Sequence, residues 1–208
     1  MKSWSTLCAL ALLVLSFGCV SLEKPYPDKR YFVLETLGQQ VNSADSTSND
    51  TLQVSNVRVS PRYADRSFIY RTSAASYESD FYNQFLVSPA SLITEEIRKG
   101  LIASQLFKYV ISPSSQLQPS YVLEGTVNAL YGDFRDADSP RAVLEMEFFL
   151  TSDIPTKPGI LMQRRYAKSI SLSARSPEAL VQGWNQALEE ILTELVADLK
   201  VVIGKNSG

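Results

Sequence analysis

Few side chains in this sequence could act chemically, and their spacing limits what they could do. Glu145 and Glu147 stand two apart, which places both carboxylates on one face of a strand, where a pair can share acid–base work. The alternate residues Leu144, Met146, Phe148 and Leu150 read as core, so the same spacing equally fits a solvated strand face. If the next segment returns as a hairpin with Thr151 opposite Ile160, then Glu147 faces Arg164 and Glu145 faces Tyr166. Cross-strand pairs of that kind are worth under about 1 kcal/mol. Asp133-Phe134-Arg135-Asp136-Ala137-Asp138 carries part of a calcium loop but lacks its turn glycine and closing glutamate, and reads as an acidic turn. No serine lies in a G-x-S-x-G turn, and there is no histidine to activate one. The absence of histidine removes His-dependent triads, His zinc sites and a His general base. With two cysteines only, Cys8 and Cys19, four-cysteine zinc sites and disulfide frameworks are excluded as well. No catalytic, cofactor-binding or metal-binding residue is assigned, and the expectation is a binding or structural protein, not an enzyme.

The thiol of Cys19 has a setting of its own. Met1-Lys2-Ser3 gives a positive start, and the nine apolar residues Leu7 to Leu15 form a signal-type run, well short of the roughly 20 needed to span a bilayer. Leu15-Ser16-Phe17-Gly18-Cys19 follows directly and looks like a bacterial lipobox, with Ser16 where Leu is usual. In such signals the peptidase cuts before the Cys, whose thiol is alkylated to a thioether by a diacylglyceryl group. Residues 1–18 therefore read as a lipoprotein signal peptide and Cys19 as the lipidation site. Residues 19–30, with Pro25 and Pro27, read as a lipidated tether. Two or three acyl chains would hold the protein on a membrane where a single chain binds only marginally. Val20, in place of an Asp after the Cys, favours the outer membrane, with the inner membrane as the alternative. The chain is 45% hydrophobic and 20% charged with a net charge of −2, a globular composition without the basic excess that nucleic acid demands.

The elements behind these residues read as a single α+β domain over 31–203, a mostly antiparallel sheet of about six strands with two helices packed on one face. Strand signals run through Tyr31–Glu35, Leu52–Val59, Phe68–Arg71, Tyr109–Ile111, Tyr121–Tyr131, Arg141–Leu150 and Ile160–Leu172. Residues 39–50 read as a polar loop. Ser88-Pro89 and Ser176-Pro177 both pair an N-cap with Pro at the first helical position. Gly100 in the first helix costs up to about 1 kcal/mol relative to Ala and would be explained by a close backbone contact. In the second, Leu180, Trp184, Leu188, Ile191, Leu195, Leu199 and Val202 form one apolar stripe, which suits packing on the sheet more than a coiled-coil seam. Gly204 is expected to end that helix, leaving 204–208 as a disordered tail.

Aromatic residues crowd one quarter of the chain: Tyr63, Phe68, Tyr70, Tyr77, Phe81, Tyr82 and Phe85. Such side chains serve interfaces as well as cores, and the 81–85 segment is neither a clear strand nor a clean helix. Read in order, Pro27-x-x-x-Tyr31-Phe32-Val33-Leu34-Glu35, the Val57 and Val59 strand, Pro61-x-Tyr63-x-Asp65-Arg66, Phe68-Ile69-Tyr70-Arg71, and Tyr77 through Asn83-x-Phe85 to Pro89 resemble the ABC-type transport auxiliary lipoproteins. These are the lipoproteins that accompany MCE-domain lipid transport systems. The resemblance spans nearly all of 19–203, with Phe85 where Trp would be expected. It implies no enzymatic activity and no cofactor. It implies a lipid-anchored periplasmic domain that docks on an MCE-domain protein and helps phospholipid or other hydrophobic molecules pass between membranes. Tyr70, Arg71, Tyr82 and Phe85 are the expected partner surface, and a homo-oligomer stays open. Two rivals remain, a lipoprotein regulator of a cell-wall synthase or secretion pore, and a stand-alone lipid-binding carrier.

Overall fold

A computed structural model describes residues 28–36, 48–154 and 158–206. The expected signal peptide, Cys19 and most of the tether lie outside the described residues, as do 39–47 of the expected polar loop and 155–157 of the hairpin loop. The elements are β1 (Arg30–Phe32), β2 (Ser48–Val54), β3 (Arg58–Val59), β4 (Ser67–Arg71), β5 (Tyr77–Phe85), α1 (Pro89–Ala103), β6 (Phe107–Ile111), β7 (Tyr121–Asp133), β8 (Arg141–Ser152), β9 (Gly159–Ser171) and α2 (Pro177–Asn206).

The α+β class and the two helices agree with expectation, but the sheet does not. Among the described residues it has nine strands, not about six, and it is mixed. Five of its eight pairings are parallel. The cause is the length of β7. One edge of β7 hosts three short strands in succession, all parallel to it: Leu52–Val54 beside Tyr121–Leu123, Arg58–Val59 beside Thr126–Val127, and Tyr70–Arg71 beside Gly132–Asp133. Residues 52–71 thus track a single strand, interrupted by a break after Val54 and a 3₁₀ turn at Pro61–Tyr63. Side-chain alternation reveals a strand but carries no information about its direction, so these parallel pairings were not visible in the sequence. The other edge of β7 carries the expected antiparallel meander β7–β8–β9. Thr151 does oppose Ile160. An irregularity between Leu150 and Thr151 then shifts the remaining ladder by one, so Glu147 opposes Arg165 and Glu145 opposes Ala167, not Arg164 and Tyr166.

Both helices cover one face. Ser88 caps α1 by accepting from the Ser91 amide, with Pro89 opening the helix. α1 packs on β6 and β3, α2 packs on β8 and β9, and the helices touch each other. A Cβ on Gly100 would lie 3.2 Å from Leu192 Cδ1, so the helix crossing explains this glycine. α2 approaches more closely still at Gly183, where a Cβ would stand 2.7 Å from the Ala142 Cβ and 2.6 Å from Leu172 Cδ2. That approach seats Trp184 in the centre of the core. Its ring lies 5.1 Å from Phe68 and 5.5 Å from Phe85, and its Nε1 donates to the Val143 carbonyl at 3.2 Å. At its far end α2 continues through Gly204 to Asn206, which corrects the expected tail at 204–206; residues 207 and 208 lie outside the described residues.

The chain leaving β1 is pinned between the helices. Leu34 is buried, the Glu35 amide donates to Asn185 of α2 at 3.1 Å, and the Thr36 amide and hydroxyl both donate to Glu96 of α1 at 2.7 Å. Glu96 is only 3% exposed and also accepts from Lys99 at 2.9 Å. Burial alone would raise its pKa, but the bonds from Thr36 and Lys99 outweigh burial and hold the carboxyl below its ordinary range.

Because the Ala142 Cβ cannot swing away, Gly183→Ala should lift α2 and cost about 1–3 kcal/mol, read as a lowered urea midpoint with an unchanged slope.

Candidate functional site

β4 ends at Tyr70 and Arg71, beside the end of β7. Adjacent strand residues point to opposite faces, so these two build on opposite sides of the same sheet end. Tyr70 turns toward the helices. Its ring comes close because Gly132 has no side chain: a Cβ there would lie 3.2 Å from both the Tyr70 ring and Leu180 of α2. Tyr70 stacks on Phe134 at 5.0 Å and 13°, and the Arg175 guanidinium covers Phe134 at 4.9 Å while donating to its carbonyl at 3.2 Å. Arg71, on the open face, lies 5.7 Å over Tyr77 and donates to the Ala74 carbonyl at 2.9 Å. Tyr77 meets Tyr131 edge-on at 5.8 Å, and Tyr131 stacks on the buried Tyr63 at 5.9 Å.

A carboxylate organises the helix-side half. Asp80 accepts from the Tyr70 hydroxyl at 2.8 Å, from Asn83 Nδ2 at 2.6 Å, and from the amides of Tyr82 and Asn83 at 2.8 and 3.0 Å. Burial pushes the Asp80 pKa up, but these bonds prevail and hold the carboxyl below its ordinary range. The Tyr70 phenol moves the other way, far above its usual range, through burial first and the Asp80 bond second. Asn83 in turn accepts from Arg30 Nε at 2.9 Å, and Arg30 pairs with Glu178 at the start of α2.

The carboxylates singled out from the sequence are occupied elsewhere. Glu145 holds Arg165 at 2.6 Å and Glu147 accepts from Gln163 at 2.8 Å. Asp133 is gripped by Arg135 through two bonds of 2.8 and 2.6 Å. Beside the aromatic cluster lies an open cleft of about 580 Å³ lined by Tyr131, Asp133, Arg135, Arg141 and Glu145. Charges of both signs and exposed ring edges suit recognition of a protein surface better than turnover of a small molecule.

Of the four residues expected at a partner surface, Tyr70 lies on the helix side and Arg71 on the open side of the same sheet end. Tyr82 is half-buried next to Asp80, with its ring edge-on to Phe81 at 5.3 Å. Phe85 is a correction. It is 1% exposed and packs 4.8 Å from Phe68, because β5 runs as a strand through residue 85 and turns that side chain to the core. Tyr131, Phe134 and Arg175 were missed. Unbroken alternation along β7 would turn Leu130 outward and Tyr131 inward, but the irregularity at Asn128 reverses the faces. Phe134 was hidden within an acidic turn.

Residues 32–196 match the sequence model of a family described as the ABC-type transport auxiliary lipoprotein component. Among solved structures, protein XCC0632 from Xanthomonas campestris superposes with a TM-score of 0.70 at 15% identity, covering 87% of this chain and 96% of its own. A second, uncharacterised protein gives 0.65 at 17% identity over 83% and 99%. The protein CT253 from Chlamydia trachomatis gives 0.50 at 14% over 74% and 96%. At these identities the likeness is one of fold. No curated protein matches the sequence.

The Tyr70–Asp80 bond gives a pH-dependent expectation. A depressed carboxyl contributes stability above its unfolded pKa and loses it as pH falls through the folded value. Tyr70→Phe should cost about 1–2 kcal/mol at pH 7, with the cost shrinking in acid as Asp80, held below the ordinary carboxylate range, takes up its proton. Paired denaturant titrations of both proteins from pH 7 down to about pH 2 would show this narrowing, and a cost independent of pH over that whole range would refute it.

Proposed function

The chain belongs to the ABC-type transport auxiliary lipoprotein family, and from that membership we propose that it docks, as an outer-membrane lipoprotein anchored through Cys19, on an MCE-domain component of a lipid transport system. The coarser role, an auxiliary lipoprotein of ABC-type transport, comes with the family. The docking part rests on one observation above all, two groups of rings and guanidinium groups at one end of the sheet, Tyr70, Phe134 and Arg175 on the helix side and Arg71, Tyr77 and Tyr131 on the open side. Tyr and Arg are the residues most often found to carry binding energy in protein contacts. Here the rings are held rigidly by stacking and by backbone bonds, so little side-chain entropy is lost on binding. The anchor follows from the lipobox-like sequence before Cys19, and Val20 supports the outer membrane.

In this reading the protein holds a partner in register beneath the membrane while the transported molecule moves through other components. That fits a domain whose space between sheet and helices is filled by Trp184, Phe68, Phe85 and Phe148.

Extraction in mild detergent, capture of the protein and mass spectrometry of what accompanies it should recover an MCE-domain protein. Arg71→Glu combined with Phe134→Ser should lower that recovery at least tenfold, which corresponds to about 1.4 kcal/mol, while the folded circular dichroism signal persists. Cys19→Ala should move the protein from the membrane to the soluble fraction. Recovery of a cell-wall synthase in its place would sink the proposed partner.

A further inference from the structure

The edge of the sheet where the tether enters carries two exposed rings, each with a cation on its face. Phe81 is 63% exposed, and Lys29 Nζ lies 4.0 Å from the centre of its ring. Tyr31 is 50% exposed, and the Arg66 guanidinium lies 5.2 Å from its ring centre. Both rings are held in place by backbone structure. Tyr31 lies in β1, in register with Gln84, and Phe81 sits in the Asp80 turn of β5, where Gln84 Nε2 donates to its carbonyl at 3.2 Å. Arg66 is fixed by its bond to the Phe85 carbonyl at 2.8 Å. Neither Lys29 nor Arg66 forms an ion pair among the described residues; the acids next to them in sequence, Asp28 and Asp65, are exposed.

Rings that stay exposed beneath a cation have the chemistry of a bilayer interface. There amphipathic aromatics settle at headgroup depth, and Lys and Arg meet the phosphates. Chain length puts this edge within reach. Asp28 stands nine positions after Cys19, so the segment between them spans at most about 30 Å. A protein with net charge −2 gains nothing from approaching an anionic surface at random, so its two unpaired cations beside the tether set an orientation. Resting on the reading of Cys19 as a lipid anchor, we infer that Lys29, Tyr31, Arg66 and Phe81 form a second membrane contact that lays the β1–β5 edge against phospholipid headgroups. This surface is distinct from the rings at the end of β4 and β7, with which it shares strand β5. It turns attachment at one point into a defined orientation.

The test uses the full lipidated protein in vesicles of phosphatidylethanolamine and phosphatidylglycerol. After processing at Cys19, Phe81→Cys supplies the only free thiol for an environment-sensitive fluorophore. Ser169→Cys on β9, at the opposite edge of the sheet, supplies the control. Spin-labelled lipids should quench the label at 81 several-fold more than the label at 169. Adding Lys29→Glu and Arg66→Glu should abolish the difference. Equal quenching at both sites in protein that floats with the vesicles would overturn the second contact and leave the anchor standing. Protein that does not float at all would overturn the anchor and this inference with it. Loss of MCE-protein recovery in Phe81→Ser, with flotation intact, would mean that the edge is a docking surface instead.

Discussion

The sheet face that carries Leu123, Leu144, Met146 and Phe148 stays dry only while α2 lies flat on it, and α2 can lie flat only because residue 183 has no side chain. Once the backbone of that helix sits against Ala142, Trp184 packs against the touching rings of Phe68 and Phe85, and its indole reaches the Val143 carbonyl. Burying one indole removes roughly 150–250 Å² from water, about 4–6 kcal/mol before entropy is counted. The same seating brings Lys168 to within 2.6 Å of Glu194 and the Tyr166 hydroxyl to within 2.8 Å of Asp198 along the helix flank. It also delivers Leu180 and Arg175 to the end of the sheet, where Tyr70 and Phe134 are waiting. The surface that could meet a partner is therefore a consequence of one helix-to-sheet distance.

β7 is the second organiser. Three short parallel strands share one of its edges and a long antiparallel strand takes the other, so four of the other eight described strands are hydrogen-bonded directly to it. Short strands that each contribute two or three pairs would not persist alone. Lined up on one continuous template, each is held by the template and by the core beneath it. The arrangement places the ends of β4 and β7 side by side, and this is how Tyr70 and Arg71 come to lie next to Tyr131 and Phe134.

The two helices, their caps at Ser88 and Ser176, the apolar stripe of α2 and the long meander were legible because each is written in local spacing: an i, i+4 repeat, a Ser-Pro pair, or alternation sustained over ten residues. Strand direction is not local. The parallel order of β2, β3 and β4 depends on which distant strand each one meets, and no pattern within residues 52–71 encodes it. Small irregularities mattered as much. The one at Leu150–Thr151 moved Glu145 and Glu147 onto different partners, and the one at Asn128 turned Tyr131 to the open face. Phe85 was misread for a related reason. The Asp80 turn distorts β5 enough to blur its alternation, and with the alternation gone, an aromatic residue at an interface looks the same as one in the core.

The short strand at the amino end of the domain also decides how a pull would be borne. β1 lies parallel to β5, and the residues that follow it are locked between the helices by Asn185 and Glu96. Tension arriving along the chain from the membrane side would enter at Arg30 and run down the axis of β1. It would load the β1–β5 hydrogen bonds in shear, all together, in place of peeling them one by one. Behind them stand the buried Leu34 and the clamp on Thr36, which would have to slip before anything deeper could move. A domain strung between a membrane and a partner is a link in a chain, and here the mechanical joint is built from three residues of strand and one buried carboxylate.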